Sequence, residues 1–353
     1  MVRDVPREPP STAEIADLVE SQLGWTASAI TRFEEGLNAV YLVDRRDGDA
    51  VVVKTATVVD DEALLVEATL LTAIAGETDV PVPVIFEIFE REETTLAMAA
   101  FVMEYRPGRT VTDIHDLSPN AQERLILEAA HHHAALHSAQ IVDGFGPLRL
   151  SNGDVVADPA YPSWDAWFAE RIEQALDGMR GVGVTKDSRP RFADLEPLVR
   201  SSLLRFTLDQ GTSTTWSVTP SIFFGDYRPA NLVLSTDDDA RPLVKSVVDL
   251  GAGPTGDGLL DLALGEDALV DIPFGGTDRA DVLRTRLRNA YSRARPVDSS
   301  VFETEQYTRY RLYARARRMG SFGYWGQFVH EDDREVAARR WRSTVGELVD
   351  DLL

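Results

Sequence analysis

The sequence contains no cysteine, and only three of its 353 residues are lysine: Lys54, Lys186 and Lys245. Without cysteine there is no disulfide, no thiolate nucleophile and no cysteine-ligated metal. No apolar run approaches the roughly 18 residues a transmembrane helix needs, so none is expected. The opening segment, MVRDVPREPPSTAE, has no apolar stretch of the kind a secretory leader carries, and the chain is read as cytoplasmic. Positive charge is scarce as well. Lysine and arginine total 36 against 58 aspartates and glutamates, a net charge of −22, and no basic run is visible. Such a chain repels phosphate backbones and anionic lipid surfaces, so neither nucleic acid nor a membrane is expected as partner.

The acidic residues are spread along the whole chain rather than gathered in a tail. Two explanations compete: cation binding, or a surface that stays soluble in concentrated salt, as in halophilic proteins. The even spread favours the second, and in that case the acidity says little about the charge of a substrate. The apolar fraction of 44% is ordinary for a folded chain. A length of 353 residues suggests two domains of roughly 150 residues each.

Patterning along the chain divides it. Residues 1–10 are rich in proline and charge and read as frayed. Ser11, with Glu14 three residues on and Ile15, Leu18 and Val19 behind it, reads as a capped helix start. The β-branched runs 39–43 and 50–54 flank Asp44–Asp49 and predict a hairpin. Leu64, Ala68, Leu71 and Ile74 recur at helical spacing over about 60–75, and two more strands follow at 83–90 and 96–104. Beyond Pro107-Gly108 the texture becomes helical, with helices over 119–138 and 163–180. A stretch of mixed character spans 139–220, two short strands lie near 230–235 and 243–249, and helices fill 258–353. The expectation is an α+β chain: residues 1–105 as an antiparallel sheet with an inserted helix, and 106–353 as mainly helices.

Four places carry chemistry. In Gly225-Asp226-Tyr227-Arg228-Pro229-Ala230-Asn231 an aspartate and an asparagine share a tight loop between apolar runs. Asp226 can take a hydroxyl proton, and the Asn231 oxygen can ligate a hard cation such as Mg²⁺; the plain alternative is a turn built of turn-forming residues. Asp249 ends the apolar run Val247-Val248, where a carboxylate is costly to bury unless paired or metal-bound; a solvated strand-end carboxylate is the alternative. Lys54 closes Val51-Val52-Val53, with Glu67 on the next helix as a possible ion-pair partner; an exposed strand-end lysine is the alternative. Finally, Gly36 and Asn38 lie in a turn entering a strand; with a single glycine the plain reading is an ordinary turn, the alternative being one that lays backbone N–H groups over phosphates. In order along the chain, these are the parts of a kinase-type phosphoryl-transfer site.

Those residues resemble the aminoglycoside phosphotransferase and choline kinase family, small-molecule kinases with a two-lobed protein-kinase-like fold. FFGDYRPANLVL is similar to the family's His-Gly-Asp-x-x-x-x-Asn loop, and SVVDLGAGPTGDGLLDLA to its metal-binding aspartate segment. VVVKTA, the Glu67 helix, FVMEYRPG and AALHS match in order, so the resemblance spans about 30–265. It implies ATP and Mg²⁺ as cofactors. Asp226 would be the base or hydroxyl-orienting group, and Asn231 and Asp249 the Mg²⁺ ligands. Lys54, paired with Glu67, would bind the α- and β-phosphates. Glu104 to Arg106 would be the hinge that meets adenine, and Asp257 and Asp261 would support the loops. The acceptor would be a hydroxyl of a small molecule, aminoglycoside-, choline-, sugar- or glycated-amine-like. The resemblance leaves the oligomeric state open.

The chain departs from the family pattern at Phe224, where the family usually has histidine, and at Leu250-Gly251, where an aromatic-acid pair is common. Phe224 raises the alternative of a catalytically silent nucleotide-binding or scaffolding protein. Retention of Lys54, Asp226, Asn231 and Asp249 favours an active kinase. A protein kinase is disfavoured because no Ala-Pro-Glu element follows Asp249. Other features read as ordinary packing. His131, His132 and His133 point in different directions on a helix and form no single site. His137 is expected to be packed. Trp164, Trp167, Phe168, Phe322, Tyr324 and Trp325 are expected in the core, with an acceptor wall as the alternative, and Asp165, Glu170 and Glu173 on a solvated face.

Overall fold

The computed structural model of the protein describes residues 6–34, 36, 38–182, 191–204, 218–251, 253–322 and 331–352. Helix α1 (Thr12–Leu23) begins where the capping box places it: the Ser11 hydroxyl accepts from the Glu14 N–H, and Glu14 Oε2 accepts from the Ser11 N–H at 2.7 Å. Of residues 1–10, expected to be frayed, 1–5 lie outside the described residues, and the described ones are tied down at Arg7. Arg7 donates two hydrogen bonds to Asp61, at 2.5 and 2.6 Å, and its backbone N–H donates to Thr57 O at 2.8 Å. An arginine that meets a carboxylate through two parallel N–H···O bonds in a partly buried place makes one of the stronger polar contacts.

Strands β1 (Ala27–Arg32), β2 (Ala39–Arg45), β3 (Val51–Thr55), β4 (Ile85–Phe89) and β5 (Ala100–Glu104) form one antiparallel sheet in the order β1-β2-β3-β5-β4. The hairpin expected at 39–54 and the later strand pair are present. β1 had no periodic signal, because as an edge strand it buries none of its residues fully. β3 is central and buried along its length. Its alternation decides the chemistry. Val51 and Val53 face α1 together with Tyr41 and Val43, so Lys54 projects to the opposite face, toward α2 (Asp61–Glu77).

The remainder is mainly helical: α3 (Pro119–Ser138), α4 (Trp164–Met179), α5 (Glu196–Leu204), α6 (Gly258–Glu266), α7 (Ile272–Phe274), α8 (Asp278–Ala294), α9 (Glu305–Gly320) and α10 (Glu331–Asp350). Ser118 and Ser163 cap α3 and α4. A π-helical turn, Asp267–Asp271, links α6 to α7. Three short antiparallel pairs lie among these helices. They are β6 (Leu148–Ser151) with β7 (Asp154–Ala157), β8 (Pro220–Ile222) with β11 (Thr255–Asp257), and β9 (Leu232–Leu234) with β10 (Val244–Val247). The first lies in the 139–220 stretch of mixed character, where no strand was expected. Its turn is Asn152-Gly153, both at positive φ, a dipeptide suited to a two-residue hairpin.

One large core unites the helical part, and α9 crosses its middle. Glu266 at the end of α6 is fully buried, bonded by Arg288 from α8 at 2.7 Å, by Arg311 from α9 at 2.9 Å and by the Tyr307 hydroxyl at 3.0 Å. Breaking such a network leaves an uncompensated buried charge, which fixes the seating of α9.

Candidate active site

Lys54 is the centre of the site. Its ammonium donates to Glu67 Oε1 and Oε2 at 2.7 and 2.9 Å and to Asp249 Oδ1 at 2.7 Å. Lys54 and Glu67 are 5% and 3% exposed, whereas the Asp249 side chain is 61% exposed. Burial works against the lysine charge, but the two carboxylates outweigh it and hold its pKa above the usual lysine value. Burial pushes the Glu67 carboxyl upward despite Lys54, and the Lys54 ammonium holds Asp249 below the usual carboxylate range. Asp249 itself sits at φ +60, a left-handed conformation that aspartate tolerates and that turns its carboxylate out of the strand line.

The β9–β10 hairpin brings the second motif alongside. The Val248 N–H donates to Asn231 O at 2.9 Å, so Asn231, just before β9, lies opposite the residue before Asp249. Asn231 Nδ2 donates to Asp226 O at 3.0 Å and to Asp226 Oδ2 at 3.3 Å, which leaves its amide oxygen for another partner. Arg228 Nε donates to Asp226 Oδ2 at 2.7 Å, and Arg318 Nη2 from α9 stands 3.5 Å from Oδ1. Neither arginine was among the residues picked from the sequence. Arg228 lies inside the recognised loop, but Arg318 is distant in the chain and carries no local signal.

Asp261 on α6 holds the loop from below. Its two oxygens accept from the Phe224 and Gly225 N–H groups at 2.9 and 2.8 Å. The third donor is His137, whose Nε2 lies 3.1 Å from Oδ2. Arg295 donates to the Tyr291 hydroxyl at 2.7 Å, which turns the phenolic proton toward His137 Nδ1 at 2.9 Å and leaves the imidazole proton on Nε2, facing Asp261. Burial alone would raise the Asp261 carboxyl. Its hydrogen bonds, led by His137, bring it below the usual range instead. Asp257 caps α6 through the Leu259 N–H at 3.0 Å and accepts from the Tyr310 hydroxyl at 2.8 Å. Phe224 is 3% exposed and packs edge-on against His133 and Tyr227, with ring centroids 4.9 and 5.0 Å apart. The loop is thus held at this position by backbone hydrogen bonds to Asp261 and by the packing of the Phe224 ring.

The remaining picked residues lie around this centre. Gly36 has φ +113, a conformation open to glycine. The Asn38 side-chain oxygen accepts from the Val58 and Val59 N–H groups at 3.1 and 3.3 Å, so it ties the turn to the segment after β3. Glu104 closes β5, pairs with Arg106 at 2.8 Å, and donates its N–H to Val84 O at 2.8 Å. Each histidine of 131–133 faces differently: His132 Nδ1 meets the Tyr227 hydroxyl at 2.7 Å, His133 Nδ1 donates to Ala129 O at 2.7 Å, and His131 is exposed. Trp164 and Phe168 are buried and stacked, with centroids 5.1 Å apart, and Trp167 and Phe322 are also buried. Glu170 accepts from the Tyr161 hydroxyl at 2.7 Å and Glu173 pairs with Arg200 at 2.7 Å. Tyr324 and Trp325 lie outside the described residues.

Among the described residues no group of three or more His, Asp or Glu side chains is placed to hold a metal ion. Asn231 and Asp249, on chain segments joined by the Val248 N–H to Asn231 O bond, offer two hard oxygen donors, a set that would suit Mg²⁺ with phosphate oxygens and water completing the shell. No helix among the described residues is long and apolar enough to cross a membrane.

The sheet-plus-helix region, the helical region and the aspartates between them define a two-lobed, kinase-like protein. The profile of the phosphotransferase enzyme family (APH) matches residues 29–297, and the chain belongs to that family. No curated protein matches the sequence. Several solved structures share the fold. The ternary complex of a thermostable mutant of aminoglycoside phosphotransferase APH(4)-Ia with AMP-PNP and hygromycin B has a TM-score of 0.63 at 15% identity, covering 96% of this chain and 98% of that one. A protein from Ralstonia eutropha JMP134 described as a candidate aminoglycoside phosphotransferase has a TM-score of 0.65 at 18% identity, covering 97% and 98%. A candidate fructosamine-3-kinase from Thermobifida fusca has a TM-score of 0.58 at 20% identity, covering 97% and 99%.

Proposed function

We propose that the protein is an ATP-dependent kinase that moves the γ-phosphoryl group of Mg·ATP to a hydroxyl of a small molecule. The observation that carries this reading is the bond of Lys54 to both Glu67 and Asp249, with Asn231 and Asp226 aligned beside it. Residues 1–105 form the nucleotide-side lobe and residues 106–353 the lobe that holds the acceptor. Lys54 neutralises the α- and β-phosphates and is kept straight by Glu67. The Gly36 turn covers the phosphates with backbone N–H groups, while Asn38 keeps that turn in place. The backbone of Glu104 to Arg106 meets the adenine edge. Asn231 and Asp249 hold Mg²⁺, which when bound offsets charge on the nucleotide phosphates. Asp226 accepts a hydrogen bond from the acceptor hydroxyl, aims its oxygen at the γ-phosphorus and takes its proton. Catalysis is then positioning plus charge neutralisation.

AMP-PNP and hygromycin B in one structural neighbour, and the fructosamine-3-kinase description of another, support a nucleotide and a hydroxylated small molecule as the two substrates. The test is ADP release from Mg·ATP in concentrated KCl against aminoglycosides, choline, glycated amines, sugars and nucleosides, with a no-acceptor control. Stimulation by one class that falls by about 10³-fold in Asp226→Asn, while ATP still binds, is the expected result. Undiminished turnover in Asp226→Asn would remove the base assignment, and Mg·ATP binding with no acceptor-dependent turnover would favour a silent kinase fold.

A further inference from the structure

Positive charge gathers on the Asp226 loop, in a chain whose net charge is −22. Arg228 Nε donates to Asp226 Oδ2 at 2.7 Å, Arg318 Nη2 lies 3.5 Å from Oδ1, and Arg317 Nη1 donates to Gly225 O at 3.0 Å. Both oxygens of the catalytic carboxylate therefore face a guanidinium. The carboxylates that meet these arginines are already shared. Asp249, whose charge Arg228 feels, pairs with Lys54 at 2.7 Å, and Asp267 pairs with Arg315 at 2.6 Å.

Arg318 is the under-committed member. Its side chain is only 14% exposed, yet its two ionic contacts among the described residues are long: 3.5 Å to Asp226 and 3.4 Å to Asp267 Oδ2. A charge-assisted N–H···O bond of full strength is about 2.7–2.9 Å. Asp267 Oδ2 has no hydrogen-bond partner among the described residues. A planar cation with five donors, largely withdrawn from water and lacking a short acceptor, is set to receive a further anion. It stands at Oδ1, whereas Asn231 and Arg228 lie at Oδ2. An anion held by Arg318 would therefore lie beside Oδ1, away from the oxygen that meets Asn231. A polyamine would meet like charge there.

We infer that the acceptor is a hydroxylated anion, whose carboxylate or phosphate is bound by Arg318 while its hydroxyl reaches Asp226. The inference rests on the kinase reading. In the transfer, the acceptor oxygen forms the new bond to the γ-phosphorus, the bond from that phosphorus to the β–γ bridging oxygen breaks with its electron pair leaving on ADP, and the hydroxyl proton passes to Asp226. Arg318 stays protonated throughout and acts on binding.

The experiment holds the skeleton constant and varies the charge. ADP release and calorimetric binding are measured at one KCl concentration with glucose, glucosamine, glucuronate and glucose 6-phosphate, for the wild type, Arg318→Gln and Arg318→Lys. The wild type is expected to use glucuronate or glucose 6-phosphate at least about ten-fold better in kcat/KM than glucosamine, with the two anionic arms telling carboxylate from phosphate. Arg318→Gln should lower the anionic-to-neutral kcat/KM ratio by about ten-fold, mainly through the acceptor KM, and Arg318→Lys should lower it less. Preference for glucosamine, an unchanged ratio in Arg318→Gln, or a rise confined to the KM for ATP overturns the inference; the last would make Arg318 a nucleotide-phosphate residue. Arg318-dependent anion binding without phosphorylation of any hexose leaves the anion site standing and counts against the kinase reading. Absence of Arg318-dependent binding as well overturns the anion site.

Discussion

Lys54 Nζ and Asp249 Oδ1 lie 2.7 Å apart although 195 residues separate them in the chain. One lies near the end of a central strand of the sheet, and the other follows the short β10 strand in the helical part. Their bond therefore joins the two regions at the place where the nucleotide phosphates are proposed to enter. It also explains why this nearly lysine-free chain keeps a lysine here: Glu67 and Asp249 approach it from different directions, which suits a compact ammonium better than a planar fork.

Lys54→Met is expected to remove phosphoryl transfer and to lower stability by about 3–5 kcal/mol, because Glu67 is left buried without its cation. The double variant Lys54→Met/Glu67→Leu should recover most of that stability and none of the activity. Denaturant unfolding and ADP release on the same preparations separate the two effects. Equal instability in the single and double variants would show that the Glu67 charge is not the cause.

Lys54, Glu67, Asp226, Asn231 and Asp249 were picked from strand ends, a helix and a tight loop, and as a set through the resemblance to the kinase family; the structure brings them together. The sheet was legible where strands are half-buried or central. β1 was not, since an edge strand that buries no residue fully leaves no alternation to read. The β8–β11 pair escaped because each strand is three residues long and finds its partner far along the chain. Arg318 could not be read at all: it is one arginine among several on α9, and only the crossing of α9 under the Asp226 loop gives it meaning.

Asp249→Asn tests the metal assignment apart from the chemistry. Asparagine keeps the shape and one oxygen donor but loses the charge, so Mg²⁺ affinity should fall while metal-free ATP binding stays nearly the same. Titration of ATP with and without Mg²⁺ is expected to show a Mg²⁺-dependent gain in the wild type that shrinks by about ten-fold or more in the variant. An identical gain in both proteins would remove Asp249 from the metal site.

Acid should destabilise the protein through its buried histidines. Burial, the leading cause in each, lowers His132 to about 3 and His133 to about 4, against an ordinary value near 6.5. A depressed pKa means that the unfolded chain takes up the proton first. The associated stability is thus complete above about 6.5 and is lost as the pH falls toward 4, at about 1.4 kcal/mol per pH unit for each group. His133→Phe keeps a ring against Phe224 and Tyr227 and removes one of these groups. Urea unfolding between pH 4.5 and 7.5 should then show a shallower acid slope by about that amount. A slope unchanged by the substitution would mean that His133 is already protonated in the folded state.

The contact of Gly178 with Gly320 links packing to the Asp226 loop. A Cβ on Gly178 would fall 2.9 Å from both the Cα and the carbonyl oxygen of Gly320, so α4 and α9 approach there backbone to backbone. In an open helix, glycine to alanine is worth up to about 1 kcal/mol of stability. At this crossing the clash is with backbone that cannot rotate away, and overpacking of that kind costs about 1–3 kcal/mol, so the net sign is destabilising. Gly346→Ala is the control, since on α10 a Cβ meets nothing within 4 Å among the described residues and a small gain is expected. Because α9 carries Arg317 and Arg318 just before Gly320, a shift of that helix end also moves the arginines that hold the Asp226 loop. Gly178→Ala should therefore lower kcat/KM for the acceptor beyond what its loss of stability explains, measured well below its melting temperature. Full activity in a destabilised Gly178→Ala protein would show that the loop tolerates movement of α9.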